Sequence, residues 1–229
     1  MGALTRARSD PARDEPDVSP PLRILGKASS INVRKVLWTA DELGLAYAHE
    51  AEWGSADRPL DDPAFRALNP NGLVPVLVDG DTVLWESNTL CRYLAARHGA
   101  AQPTLLPADP AGRARVEQWM DWQLGELNPA WRPAFMARVR RADGWAAQVA
   151  GSIDRWSGLM AVLDAQLSRT GAFVTGAEFT LADIVLGLSA NRWQHTPIDD
   201  RPALPHVAAW MQRLQDRPAA RRWAFNGTP

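Results

Sequence analysis

Asn69-Pro70-Asn71-Gly72-Leu73-Val74-Pro75-Val76-Leu77, followed by Trp85-Glu86-Ser87-Asn88 and Tyr93, is the stretch on which the reading of the fold turns. An Asn-Gly turn signal and a Val-Pro pair run into a β-branched segment, which puts a proline at the start of a strand, where its missing N–H costs least. X-Pro bonds lose most of the trans preference, so cis and trans both stay open at Val74-Pro75. A cis bond there turns the Val74 N–H and C=O outward, free to pair with a short extended peptide as another strand would. Glu86-Ser87 stands where the next strand ends and a helix begins. A helix N-terminus attracts a carboxylate, and an adjacent Glu can hold an ammonium. Together these features suit a small ligand with an α-amino acid end and a central amide.

Outward from that stretch, short apolar runs alternate with helical periods. Residues 22–25 read as a strand. Val33, Val36, Leu37, Ala40 and Leu43 then fall at helical spacing, with Arg34, Lys35, Asp41 and Glu42 on the other side and Gly44 closing the helix. Residues 47–52 read as a second strand, 63–68 as a short helix, and 74–78 and 82–85 as two strands around an Asp79-Gly80 hairpin signal. A helix over 87–98 completes βαβαββα, the order of a thioredoxin-like α/β domain over residues 21–100. Right-handed crossovers make its first part parallel and the hairpin antiparallel. The proline-rich residues 101–110 read as a linker, and 111–229 as an all-helical bundle. There Val116, Trp119, Met120, Gln123, Leu124 and Leu127 form one apolar face before Pro129. Ile153, Trp156, Leu159, Met160 and Leu163 form a second, and a last helix over 204–217 is ended by Pro218.

Composition narrows the function. With 25 basic and 26 acidic side chains the formal net charge is −1, so no global field recruits nucleic acid or an anionic membrane. The 229 residues suffice for one or two domains, each about 100–200 residues by the usual rule. A single cysteine excludes an internal disulfide framework and a Cys-x-x-Cys pair, which points to a reducing, cytoplasmic setting. There is no apolar run near the roughly 18 residues that span a bilayer. Residues 1–20 mix Arg, Asp and Pro without the apolar stretch of a secretory signal, and read as a disordered tail or an overlong gene start. His49, His98, His195 and His206 are scattered, with no metal-ligand spacing among them.

Three stretches together carry a resemblance. Leu22-Arg23-Ile24-Leu25-Gly26 with Ser29-Ser30-Ile31-Asn32-Val33-Arg34-Lys35-Val36-Leu37-Trp38, the corner described above, and Phe179-Thr180-Leu181-Ala182-Asp183-Ile184 resemble, in order and spacing, the soluble glutathione transferases. The first resembles bacterial members with a serine and asparagine active site, and the similarity runs from residue 21 to the C-terminus. The resemblance implies a homodimeric, cytoplasmic enzyme with glutathione as co-substrate and no metal. It implies conjugation of the glutathione thiolate to small hydrophobic electrophiles.

By that resemblance Ser30 holds the position of the catalytic hydroxyl and Asn32 that of a second donor. Ser29, Leu73, Val74, Pro75, Glu86 and Ser87 meet glutathione, and Trp119, Gln123 and Trp131 line the acceptor pocket, with Met120 and Pro129 equally placed. A free thiol has a pKa of about 8.5 and only the thiolate is a good nucleophile. Lowering that pKa by about two units takes roughly 2.7 kcal/mol, within reach of a hydroxyl, an amide and a helix dipole. Structural alternatives stand beside each role. Asn32 caps a helix starting at Val33, Ser30 is a plain loop serine, Ser87 is an N-cap, and each Trp is packing. Thr180 and Asp183 form a capping box with Phe179 as its staple, and Cys91 is a buried structural thiol. Leu73 stands where many relatives carry a basic side chain for the glycyl carboxylate, with Lys27, Arg34, Lys35, His49 or a partner subunit as substitutes. Serine rather than cysteine at position 30 favours conjugation or glutathione-assisted reduction over direct thiol exchange. The open alternatives are a glutathione-dependent reductase, peroxidase or isomerase on the same site, or a non-catalytic binding module of the same fold.

Overall fold

The structure, a computed structural model, describes residues 22–229. The tail expected over residues 1–20 lies outside the described residues. Four strands form one mixed sheet, β1 (Leu22–Leu25), β2 (Tyr47–Glu50), β3 (Val76–Asp79) and β4 (Thr82–Trp85), in the order β2-β1-β3-β4. Strands β1 and β2 are parallel across the crossover helix α1 (Ile31–Glu42), while β3 is antiparallel to both β1 and β4. Helices α2 (Pro63–Leu68) and α3 (Ser87–His98) complete the βαβαββα order. Strand β3 begins at Val76 rather than at the expected position 74, because Pro75 has no N–H to give to the ladder. Strand β2 ends at Glu50, two residues short of its expected limit.

The rest is helical: α4 (Pro110–Trp122), α5 (Asn128–Arg138), α6 (Val149–Thr170), α7 (Leu181–His195), α8 (Pro205–Gln215) and α9 (Pro218–Trp223). Asp62 and Asp109 cap α2 and α4, each accepting a main-chain N–H two or three residues on, with proline in the first turn. Pro129 does not stop the chain as expected. A π-turn over Gln123–Leu127 joins α4 to α5, and Pro129 falls in the first turn of α5, where a missing N–H is tolerated. Pro133, further along α5, is accommodated by Ser152, whose hydroxyl accepts from Ala134 N (3.1 Å) and donates to Ala130 O (2.6 Å). Helix α8 ends ahead of Pro218 as expected, but it is not the last helix, since Pro218 opens α9, whose Ala220 and Trp223 are buried.

One apolar core runs through both halves of the chain, from Ile24 and Leu77 in the sheet through α1 to Trp156, Ile184 and Trp210. Helix α1 lies between the sheet and helices α7 and α9, so Val33–Ala40 is buried all round, Arg34 and Lys35 included. The expectation that these two cations face solvent is corrected. A 3.6-residue period identifies one buried face, and this helix has two. Helix α7 opens on the expected capping box: Thr180 N donates to Asp183 Oδ2 (2.9 Å). Asp183 Oδ1 also accepts from Val174 N and Trp210 Nε1, both at 2.9 Å, and burial lifts its pKa to about 6.

Candidate active site

Register brings the site together. Leu25 at the end of β1 pairs with Val76 at the start of β3, and Val76 pairs with Trp85 at the end of β4. The loop leaving β1, the loop entering β3 and the turn from β4 into α3 therefore meet at one edge of the sheet. Three neighbouring strands span about 10 Å there, the length of an extended tripeptide. Gly26 permits the approach: a Cβ on it would lie 2.7 Å from both Val33 Cγ2 and Val74 Cβ, and its φ of +132° suits glycine alone. The Val74–Pro75 bond is cis, resolving the choice the sequence left open. Asn69, buried, braces the approach by donating to Leu73 O (2.7 Å) and accepting from Asn71 N (3.0 Å). Among the described residues no main-chain bond engages the Val74 N–H or C=O, and Leu73 is 62% exposed.

Ser30 is the N-cap residue of α1 by its backbone, yet its side chain forms no capping bond, so the hydroxyl is not spent on the helix's own N–H groups. Asn32 lies inside the first turn, which removes the alternative that it caps a helix starting at Val33. Its Oδ1 is buried and has no partner among the described residues. Ser29 lends its carbonyl to Arg140 Nη2 at 3.2 Å. Across the sheet edge, Glu86 adopts φ +73°, ψ 106° before α3 and forms no side-chain cap, a conformation that a non-glycine residue holds at a cost of about 1–3 kcal/mol. Strain of this kind gathers where a side chain must be aimed. Ser87, in the first turn of α3, is 5% exposed.

Behind these groups stands a polar link that periodicity could not reveal. Lys35 Nζ, wholly enclosed, donates to Asn88 Oδ1 (3.1 Å) and Gln123 Oε1 (2.8 Å), tying α1 to α3 and to the π-turn. Burial lowers its pKa to about 8, with Arg192 acting in the same direction and Cys91 and Glu86 against it. The Cys91 thiol is wholly buried and pushed up to about 11 by that burial, which leaves it inert as a nucleophile at neutral pH.

A cavity of about 380 Å³ opens beside Asn32, lined by Ile31, Leu124, Asn128, Pro129, Trp131 and Arg132 as well. Trp131 lies where the acceptor pocket was expected, but Gln123 and Trp119 do not line this cavity. Gln123 is fully buried, and its amide groups serve Lys35, Asn128 and Ser189. Trp119 packs edge-on to Trp122 at 5.1 Å. Both lie on the apolar face that the period marked, which turns into the core at Val116, Met120, Gln123 and Leu127, while Leu124 of the same run is exposed and lines the cavity. Ile31, Leu124, Asn128 and Arg132 were missed. The signal available was the Asn-Pro pair, a breaker that marks where a helix surface opens. Of the four cations weighed for the glycyl carboxylate, Arg34 and Lys35 are buried and engaged. His49 bonds Gly26 O (2.8 Å), and Lys27 remains exposed, with Nζ on Gly54 O (2.8 Å).

Among the described residues no group of three or more His, Cys, Asp or Glu gathers as a metal site, and no helix is long and apolar enough to cross a membrane. The fold is a thioredoxin-like domain joined to a helical domain, with three loops gathered at one edge of the sheet. Residues 25–104 match the family description "Glutathione S-transferase, N-terminal domain" and 129–213 match "Glutathione S-transferase, C-terminal domain". The chain is 38% identical over 205 residues to glutathione S-transferase GstB of Escherichia coli, covering 88% of this chain and 96% of that one. It is 34% identical over 214 residues to glutathione S-transferase 3 of Zea mays, covering 87% and 91%. A theta class glutathione S-transferase from Xanthomonas axonopodis pv. citri, solved with glutathione bound, superposes with a TM-score of 0.83 at 42% identity, over 92% of this chain and all of that one. The chain belongs to the glutathione S-transferase family.

Proposed function

We propose that this glutathione transferase lays glutathione along the sheet edge and ionises it at Ser30 and Asn32, for attack on a small hydrophobic electrophile held beside Trp131. The observation that carries this reading is the register Leu25–Val76–Trp85, which draws three loops of suitable chemistry to one edge. The Val74 main chain pairs with the ligand's central amide as a strand would. The α3 N-terminus with Ser87 receives the γ-glutamyl carboxylate, and Glu86 its ammonium. Ser29 and Pro75 shape the bed, and Leu73 leaves the glycyl carboxylate to Lys27. The Ser30 hydroxyl, the Asn32 amide and the α1 dipole favour the thiolate over the thiol, whose proton leaves to solvent. The sulfur then forms a bond to the electrophilic carbon, and the leaving group departs with its electron pair. Rate comes from thiolate stabilisation and positioning. The protein works as a homodimer in a reducing cytoplasm, and exposed Val83 and Trp85 on β4 offer it an apolar edge. Sedimentation of the purified protein as a monomer would exclude that part of the reading.

Glutathione titrated at neutral pH, with thiolate absorbance followed in the near ultraviolet, tests the site. A saturable signal is expected from the wild type. Ser30→Ala is expected to keep glutathione binding by calorimetry while turnover falls about 10²- to 10³-fold, the loss typical of one donor to a developing anion. Unchanged turnover removes Ser30 from the chemistry, and absence of glutathione binding to the wild type removes the reading.

A further inference from the structure

The polar link behind the site fixes the aim of one amide in front of it. An amide has an oxygen that accepts and an NH2 that donates, and a partner able only to donate decides which end it meets. Lys35 is such a partner at one end of the link: its Nζ meets Gln123 Oε1 at 2.8 Å, so the Gln123 NH2 turns the other way. Gln123 Nε2 then donates to Asn128 Oδ1 (2.8 Å) and to Ser189 Oγ (3.0 Å), whose own proton goes to Val185 O. At the far end the Trp131 indole N–H, which cannot accept, donates to the same Asn128 oxygen at 3.0 Å. Two donors hold the Asn128 amide, and both claim its oxygen. Its Nδ2 is left with no acceptor among the described residues.

Asn128 opens α5 and lines the cavity of about 380 Å³ that Asn32 shares. The two amides do not bond each other, since Asn32 Oδ1 has no partner among the described residues. Arg132 lines the cavity as well, but it is exposed and bonds nothing among the described residues, so no neighbour fixes where its guanidinium points. A donor held in place meets developing charge without reorganising, which a mobile side chain in water cannot match. We propose that Asn128 is a further catalytic residue of the transferase: its Nδ2 donates to the acceptor oxygen on which negative charge gathers as the sulfur attacks. The inference rests on the transferase reading for the attack, and on the amide geometry for the donor. It makes Asn128 a determinant of acceptor choice. An alkyl halide offers no such oxygen, since its charge departs with the halide. An α,β-unsaturated ketone keeps the charge. The thiolate bonds to the β-carbon, the alkene π pair moves toward the carbonyl carbon, the carbonyl π pair goes to oxygen, and the α-carbon then takes a proton from water. No group leaves, and no oxidant or reductant is needed.

Benzyl chloride and 4-phenylbut-3-en-2-one compare the two kinds of acceptor. The quantity read is the ratio of kcat/KM for the ketone to that for the chloride, each above its uncatalysed rate. The ratio is expected to fall at least tenfold in Asn128→Ala, since one donor to an oxyanion carries about 10²- to 10³-fold in rate. Asn128→Asp is expected to lower it at least tenfold too. That variant keeps an oxygen for Gln123 and Trp131 and removes only the NH2, so it carries the test should Asn128→Ala not fold by near-ultraviolet circular dichroism. A merely structural loss lowers both rates and leaves the ratio where it was. An unmoved ratio in the folded variants, or a wild type that conjugates the chloride and not the ketone, overturns the inference and leaves the transferase reading standing. A second measurement needs no turnover. The ketone, labelled with carbon-13 at its carbonyl, is bound with glutathione absent, and its carbonyl resonance is expected further downfield on the wild type than on either folded variant. Equal positions, or no saturable binding, overturn the donor. If the wild type conjugates neither compound, the transferase reading is what fails, and the carbonyl resonance still decides whether Asn128 donates.

Discussion

Lys35 shows at the scale of one residue how the seam between the two halves is held. Its ammonium has exchanged water for two amide oxygens, on Asn88 and Gln123, and no carboxylate bonds it. Burial lowers the folded pKa from 10.5 to about 8. Between those values the unfolded chain binds more protons than the folded one, so the Lys35 contribution to stability rises as pH climbs from about 8 to about 10.5. Cys91 titrates in an overlapping window with the opposite sign, since its folded pKa is raised to about 11 and its contribution falls as pH climbs. In a Cys91→Ala background, urea unfolding of Lys35 and Lys35→Met chains should therefore show a gap that moves in favour of the lysine chain over that range. A gap independent of pH would mean that Lys35 titrates alike folded and unfolded. The sequence could not show this role. Arg34 and Lys35 read as the wet side of an amphipathic helix, because a charge pattern reports composition and says nothing of a second layer packed behind it. Local grammar singles out Val74 and Glu86, through an X-Pro pair and a strand end before a helix, whereas Ser30 and Asn32 are singled out by the resemblance.

Among the elements, α7 is the one whose start the sequence announced most plainly. Thr-x-x-Asp before an apolar run is a capping box, and the structure contains both of its bonds. What the spacing could not announce is that the same carboxylate reaches outside its helix, to Val174 N and the Trp210 indole N–H. Thr180→Ala should cost about 1 kcal/mol, the ordinary worth of an N-cap. Asp183→Ala leaves the buried N–H groups of Thr180, Val174 and Trp210 without acceptors, at about 1–3 kcal/mol each by the cost of an unmade bond, and should lower stability several times more than Thr180→Ala does. Equal losses, read by denaturant unfolding, would reduce Asp183 to a local cap. The α4–α5 run failed the sequence reading for a related reason. Proline speaks for its own N–H only, while the π-turn and the Ser152 hydroxyl that let the chain pass Pro129 and Pro133 come from elsewhere. The cavity beside Asn32 opens at that irregular join, so the least legible element shapes it.

Across the whole molecule the two halves share one core, and Gly187 marks how closely they are set. A Cβ on this α7 glycine would lie 3.2 Å from Trp38 Cη2 and 2.9 Å from Leu214 Cδ1. The leucine methyl can swing away. Trp38 cannot, being wholly buried, with its Nε1 donating to Glu42 Oε1 (2.8 Å) and its ring 6.2 Å from that of Phe179. Gly158 on α6 is the matched control, a helical glycine whose added Cβ would meet nothing within 4 Å. Alanine removes the entropic cost of a helical glycine at both places, so Gly158→Ala should stabilise by about 0.5–1 kcal/mol. At Gly187 overpacking of about 1–3 kcal/mol opposes that gain and should leave a net loss. Because Trp38 belongs to the sheet domain and Gly187 to the helical one, the loss should appear in a single transition, with far-ultraviolet circular dichroism and tryptophan fluorescence moving together. Two separated transitions in Gly187→Ala, with the sheet domain unmoved, would show that the halves fold independently and that the shared core is contact without coupling.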